Sequence, residues 1–429
     1  MALKIAIEAG LIPHGQSGGV EQFVMGLVHG LGRLTDGDDE YIVITNWRHE
    51  DWLKPFLGSN QRLIAKPDNL QLAHRLLGPF RGPAKMMWRA GYKLFQRLPA
   101  LHSPGVPESD GFYESLGTNV IHFPFQHFVR SKLPTVFNPH DLLHEYFPEL
   151  CSPGRLRWRQ VVYREACLRA SAVAAESHAF RKDLVRFYGL SPAKVFVIHR
   201  GSPTALFPVP TRQDIEAIQR KYGLPDRFAL YPAQTWPHKN HARLLEAIKS
   251  LRDSGKGSVN LVCAGRKNDS WAMIDRRIAE LGLTRHVFSP GYIEPSELRA
   301  FYASAAFLVF PSLVESGGFP VVEAFQEGTP VACSAIPALQ EYGADAALYF
   351  DPESTGSIAT ALERMWNDGD LRSTLRGHGA RRIRLFDWQQ TARMYRALYR
   401  RAAGRPLSEE DDWLLTAQET SIGAQGVTV

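Results

Sequence analysis

The stretch PSLVESGGFPVVEA, residues 311–324, decides how this chain is read. It follows the apolar run AFLVFP and leads into PVVEAFQEG. A short uninterrupted apolar run reads as a strand buried on both faces, and the glycines and proline after it read as a turn entering a helix. Pro320 suits the first turn of that helix and Gly328 its end. The amides of Gly317, Gly318 and Phe319 would then be unpaired donors at a positive helix terminus, a cradle for a diphosphate or for sugar hydroxyls. Glu315 stands at the start of the loop and Glu323 in the first turns of the helix. A carboxylate can accept two hydroxyl hydrogens, so one acid for a sugar and one for a ribose would explain both positions. The competing reading leaves Glu323 to complement the helix dipole and Glu315 to cap a turn.

The same strand–loop–helix unit recurs along the chain. In the first half the apolar runs are LKIAIEAG, YIVITN, NVIHF, PTVFNPHD, SAVAAES and VFVIHRG; in the second they are FALYPAQ, NLVCAG, HVFSPGYI, AFLVFPS, TPVACS and ALYFD. Amphipathic segments such as HARLLEAIKSLRDSG lie between them. Strands alternating with helices predict an α/β fold with parallel, covered sheets, and two such series predict two Rossmann-like halves. The proline-rich RGSPTALFPVPTR, Arg200 to Arg212, reads as the linker. The end of the chain from Arg405, with its SEEDD run, reads as a mobile tail.

Composition narrows the classes. The 429 residues are 44% hydrophobic and 22% charged, enough apolar material for two cores. The net charge of +6 favours anionic partners without naming one. No helix-turn-helix, zinc-finger or RNP-type pattern occurs, so no nucleic-acid partner is expected. Cys151, Cys167, Cys263 and Cys333 form no C-x-x-C pair, which disfavours zinc and a disulfide framework. MALKIAIEAG reads as a first strand and not as a signal peptide, and a cytoplasmic location is expected.

Parallel sheets bind ligands beyond the carboxyl ends of their strands, so the loops after the runs are where chemistry should lie. YPAQTWPHKNHARLLEA is a second strand, loop and helix, and places Lys239 in the loop as a point charge for phosphate; alone, it would be one more solvated lysine. PTVFNPHDLLHEYFP places His140 and Asp141 after a strand run, where Asp141 could equally be a helix N-cap. HGQSGGVEQFV is a Gly-Gly turn entering a helix; it lacks G-x-G-x-x-G, so NAD is disfavoured.

Together these segments resemble glycosyltransferase family 4, a retaining group with the GT-B fold, and in particular its mannosyl-transferring members. The resemblance runs from about Leu3 to Ala403. PSLVESGGFPVVEAFQEGTPV is similar to that family's donor-site signature, WPHKN to its phosphate-lysine loop, SGGVEQF to its N-terminal glycine loop, and HDLLHEYFPE to its His-Asp segment. FDWQQTARMY resembles the C-terminal helix that crosses back onto the first domain. The implied organisation is an acceptor-side domain over 1–204, joined by the helix at about 386–404, and a donor domain over 205–385, with 405–429 as the tail.

By that resemblance Lys239 would bind the donor diphosphate, while Glu315 and the amides of Ser316, Gly317, Gly318 and Phe319 would hold the donor sugar and phosphate. Glu323 would hold the ribose, Gly18 and Gly19 would face the diphosphate from the other domain, and His140 would hydrogen-bond the sugar. Glu315, Lys239 and His140 are the expected catalytic set. The family usually has an arginine five residues before the lysine, where this chain has Gln234; Arg200, Arg266 or His238 would have to replace it. No metal or other cofactor is expected, because lysine and helix amides can neutralise a leaving diphosphate. Both DGD segments, 36–38 and 368–370, read as polar turns.

The implied activity is metal-independent, retaining transfer of a hexose, best read as mannose from GDP-mannose, to a glycan or lipid-linked acceptor in surface polysaccharide or glycolipid synthesis. A UDP-sugar donor, a GT-B epimerase or phosphorylase, and a non-catalytic sugar-nucleotide-binding protein are the alternatives. One further segment stands apart. From His74 to His102 the chain has no acid, and Arg81, Lys85, Arg89, Lys93 and Arg97 recur every fourth residue among Met, Trp, Tyr and Phe. It reads as a peripheral contact with an anionic membrane at its inner face, or as an ordinary surface helix packed on the sheet.

Overall fold

The computed structural model describes residues 2–16, 18–66 and 105–416. The segment 74–102 singled out for membrane contact lies outside the described residues.

Two parallel sheets carry the fold. The first holds β1 (Lys4–Ala9), β2 (Glu40–Asn46), β3 (Gln61–Lys66), β4 (Val120–Phe123), β5 (Thr135–Phe137), β6 (Ala172–Ala175) and β7 (Val195–Val197), in the order β3-β2-β1-β4-β5-β6-β7. The second holds β8 (Ala229–Pro232), β9 (Leu261–Ala264), β10 (Val287–Gly291), β11 (Phe307–Phe310), β12 (Val331–Ser334) and β13 (Ala347–Phe350), in the order β10-β9-β8-β11-β12-β13. Every pairing between these strands is parallel. The apolar runs explain this: β1, β4, β9, β11 and β12 are buried almost end to end, as strands with helices on both faces must be. Fully burying one such side chain stabilises by about 1.5–3 kcal/mol.

The edge strand β3 was not among the predicted runs. Its sequence QRLIAK is short and only half-buried, so it carries too little apolar signal to stand out.

Each sheet reverses its order once, between β1 and β4 and between β8 and β11. The crevice of an open parallel sheet lies at such a switch point. The loops after β1, β8 and β11 are the glycine, lysine and two-glutamate loops of the sequence.

The helix Trp388–Ala402 leaves the second domain and packs on the helix Gly19–Gly32 of the first. The approach needs two glycines: a Cβ at Gly26 would lie 2.0 Å from the Trp388 ring, and one at Gly30 2.4 Å from its carbonyl oxygen. Arg396 grips Asp36 at 2.5 and 3.0 Å. The DGD segment at 36–38 therefore anchors this helix.

Part of the segment from Arg405 that was expected to be mobile is a helix. Glu409–Thr416 is a helix docked on Trp388–Ala402, with Leu414 buried and Asp411 bonded to Arg400 at 3.0 and 3.1 Å. The acid run reads as solvated in sequence, but it supplies the negative first turn of a helix and an ion pair. Among the described residues no helix is long and apolar enough to cross a membrane.

Candidate functional site

A cleft of about 550 Å³ lies between the sheets, and all thirteen predicted site residues line it. That volume suits a small organic ligand.

Glu315 and Lys239 meet there, Oε1 to Nζ at 2.5 Å. They come from the loops after β11 and β8, neighbours across the switch point. The Lys239 loop is held by Asn240, whose side-chain amide donates to the carbonyls of Pro311 and Pro352 at 3.0 and 2.8 Å.

Gly317, Gly318 and Phe319 enter the helix Phe319–Gln326, and among the described residues their amides have no protein acceptor. The glycines serve packing as well as exposure. A Cβ at Gly318 would lie 2.9 Å from Cγ of Tyr342, and one at Gly317 would lie 3.2 Å from Cβ of Glu176. Glu323 lies one turn into that helix and is buried. Tyr302 donates to its Oε2 at 2.6 Å, while its Oε1 has no partner. Burial pushes its pKa up to about 8, so near neutral pH it is largely a protonated acid that can donate as well as accept.

The first domain supplies the opposite wall. Gly18 adopts a left-handed φ of 57°, and a Cβ there would lie 3.0 Å from Nε2 of Gln234. Gly19 faces the Phe319 ring, at 3.5 Å from the same construction. Glu21 shapes this loop by accepting from the amides of His14 and Gly15, both at 3.0 Å.

Gln234 does not leave an empty place. Its Nε2 donates to the Gly15 carbonyl at 3.2 Å, and its Oε1 accepts from the indole N–H of Trp236 at 2.7 Å. It ties the glycine loop of one domain to the lysine loop of the other.

Two of its three expected substitutes are otherwise engaged. Arg200 is buried in an ion pair with Glu176, with its guanidinium 4.3 Å and 5.2 Å from the ring centres of Phe23 and Phe319. Burial lowers its pKa to about 10, which leaves it charged. Burial, with Lys239 and Arg159 nearby, lowers His238 to about 2 and makes it neutral. Arg266 is exposed on the cleft lip, and its carbonyl accepts from Thr235, the residue after Gln234.

His140 also differs from expectation. It has a φ of 65°, Nε2 donates to the Pro124 carbonyl at 2.5 Å, and Nδ1 lies 2.9 Å from Nη2 of Arg200. Burial and the Arg200 charge hold its pKa well below the usual histidine value. A neutral ring that donates from Nε2 must accept at Nδ1, so neither nitrogen is left free for a sugar. Asp141 accepts from the amide of Leu143, which opens the short helix Leu143–Tyr146, at 3.0 Å, and also pairs with Arg159 at 2.5 and 3.4 Å.

Sequence reasoning missed the contacts that bolt the Ser316–Phe319 loop to the other domain. Ser177 Oγ donates to the Ser316 carbonyl at 2.7 Å, Ser316 Oγ to the His140 carbonyl, and Tyr342 Oη to the Glu176 carbonyl at 2.8 Å. Glu341 accepts from the amides of His178 and Ala179 and from His199 Nε2, at 2.8, 3.1 and 2.8 Å. Only the helix-start pattern at Ser177 signals any of this in the sequence.

Comparison with known proteins agrees with this geometry. Residues 17–206 match the family model for Glycosyltransferase Family 4, and residues 214–382 that for Glycosyl transferases group 1. The chain is 25% identical over 267 residues to O-antigen chain mannosyltransferase B of Escherichia coli, covering 60% of this chain and 69% of that protein. It is 26% identical over 247 residues to O-antigen chain mannosyltransferase RfbU of Salmonella typhimurium, covering 56% and 64%. Sucrose-phosphate synthase from Thermosynechococcus elongatus shares the fold with a TM-score of 0.67 at 20% identity, over 93% of this chain and 98% of that one. Anabaena HepE, solved with UDP and glucose, shares it with a TM-score of 0.64 at 17% identity, over 92% and 99%. The two parallel-sheet domains are those of the GT-B fold.

Proposed function

We propose that this chain, which belongs to glycosyltransferase family 4, transfers a hexose from a sugar nucleotide to a glycan or lipid-linked acceptor in surface polysaccharide or glycolipid synthesis. The observation that carries the reading is the Lys239–Glu315 pair beside the unpartnered amides of Gly317–Phe319, in a cleft between two switch points. Lys239 and those amides oppose the charge that develops on a leaving diphosphate, and Glu315 accepts from hydroxyls of the donor sugar. Glu323 takes the ribose hydroxyls with its free Oε1. His140 acts as a positioning residue: it holds Arg200 and, through its carbonyl, Ser316.

The reaction proposed is retaining. The bond from the sugar's anomeric carbon to the phosphate oxygen breaks, and its electron pair stays on the diphosphate. The acceptor hydroxyl forms the new bond on the same face and gives its proton to the departing phosphate oxygen. No protein nucleophile and no metal enters this scheme. Mannose from GDP-mannose is the preferred donor, on the mannosyl-transferring names of the two relatives described above. Incubation with a panel of GDP- and UDP-sugars, with detection of released nucleotide and of the anomeric configuration of the product, tests the reading. Release of no nucleotide from any donor, with acceptor extracts present, would overturn it.

A further inference from the structure

Among the described residues five cations line the cleft: Arg155, Arg159, Arg200, Lys239 and Arg266. Three already have a carboxylate: Lys239 has Glu315, Arg159 has Asp141 and Arg200 has Glu176. Arg266 stands on the lip after β9. Arg155 is, with Arg266, one of the two that have no carboxylate partner among the described residues. It is exposed in the first turn of the helix Pro153–Arg169, on the first domain's wall, and among the described residues it has no ion pair or hydrogen bond.

Arg155 is nonetheless placed. Its guanidinium lies 5.4 Å from the ring centre of Trp236, which belongs to the other domain's lysine loop, three residues before Lys239. Trp236 is itself fixed through Gln234 to Gly15. A guanidinium against an indole keeps its in-plane N–H edges for a second partner, and those edges match the oxygens of a phosphate. A diphosphate carries more than one negative charge, and Lys239 already shares its own with Glu315.

We propose that Arg155 is a phosphate-binding residue of this cleft, meeting from the first domain a phosphate whose other cation is Lys239. The proposal rests on the glycosyltransferase reading above and adds a residue to it. The phosphate is either that of the nucleoside diphosphate or one carried by the acceptor; the Arg–phosphate chemistry is the same for both.

Calorimetry on the full chain, wild type against Arg155→Gln and Arg155→Lys, separates these sources. The titrants are GDP and UDP on the free protein, and inorganic pyrophosphate on protein saturated with GDP. Arg155→Gln should weaken one of these by about tenfold or more, the scale of a lost charge-assisted hydrogen bond. Arg155→Lys should recover part of the loss, and guanosine binding should not change. A weaker nucleoside diphosphate assigns the residue to the donor; weaker pyrophosphate alone assigns it to the acceptor. Unchanged affinity for all three, in a variant with the wild-type melting temperature, overturns the proposal. A wild type that binds none of them and turns over no sugar nucleotide overturns the proposal and the glycosyltransferase reading together, and the wild-type titrations alone reveal that case.

Discussion

Replacing Lys239 by alanine tests the centre of the candidate site. Its ammonium lies 2.5 Å from Glu315, with both side chains 17% exposed. The substitution removes a charge-assisted hydrogen bond to phosphate, worth about 1.5–3 kcal/mol, or roughly 10- to 150-fold. It also leaves Glu315 without its cation. A unit charge about 5 Å from the diphosphate, at an effective dielectric of about 20, would oppose it by about 3 kcal/mol before salt screening. Lys239→Ala should therefore lose at least the lower of these factors in kcat/KM. Its kcat should fall more than donor affinity does, because the contact strengthens as charge develops on the leaving group. The double variant Lys239→Ala, Glu315→Gln removes the orphaned carboxylate and should bind nucleoside diphosphate more tightly than Lys239→Ala alone. Calorimetry with GDP and UDP, beside steady-state turnover, gives both numbers. Unchanged nucleotide affinity and turnover in Lys239→Ala would place the phosphate elsewhere and refute this map of the donor site.

Three further outcomes are expected. Glu315→Gln should lower turnover by roughly tenfold or more at wild-type melting temperature, and wild-type turnover with the true donor and acceptor would remove it from the sugar site. For Glu323 the folded pKa lies above the ordinary value of 4.5, at about 8, so its stabilising contribution is complete below about pH 4.5 and is lost as pH rises toward 8; denaturant melts should show wild-type stability falling relative to Glu323→Gln across that window, and a constant difference would contradict a buried neutral acid. Turnover should survive exhaustive dialysis against EDTA, and loss of activity with rescue by manganese or magnesium would overturn the metal-free scheme.

The fold was legible because buried parallel strands announce themselves. AFLVFP is apolar throughout and NLVCAG is so after its first residue, and each is followed by a turn and an amphipathic helix. What failed to show were elements whose stabilisation comes from a neighbour. β3 is half-exposed at an edge. The helix Glu409–Thr416 depends on Arg400 for Asp411 and on the helix beneath it for Leu414. Polar composition alone cannot distinguish such a docked helix from a solvated tail.

The site divides along the same line. Glu315, Lys239 and the glycines were legible because each sits within a few residues of a strand end, where the loop fixes its position. In the sequence Gln234 stands only as the residue in place of an expected arginine, since a sequence shows what a residue replaces and not what it touches. In the structure Gln234 joins Gly15 to Trp236, and so one domain to the other. His140, Arg200 and Glu176 do the same beneath the Ser316–Phe319 loop. These residues are far apart in sequence, and none forms a motif with its partner. Their contacts mean that the Ser316–Phe319 loop takes its shape from both domains at once. The second domain therefore does not shape this loop alone: the first domain, through Ser177, Glu176 and the His140 carbonyl, completes it.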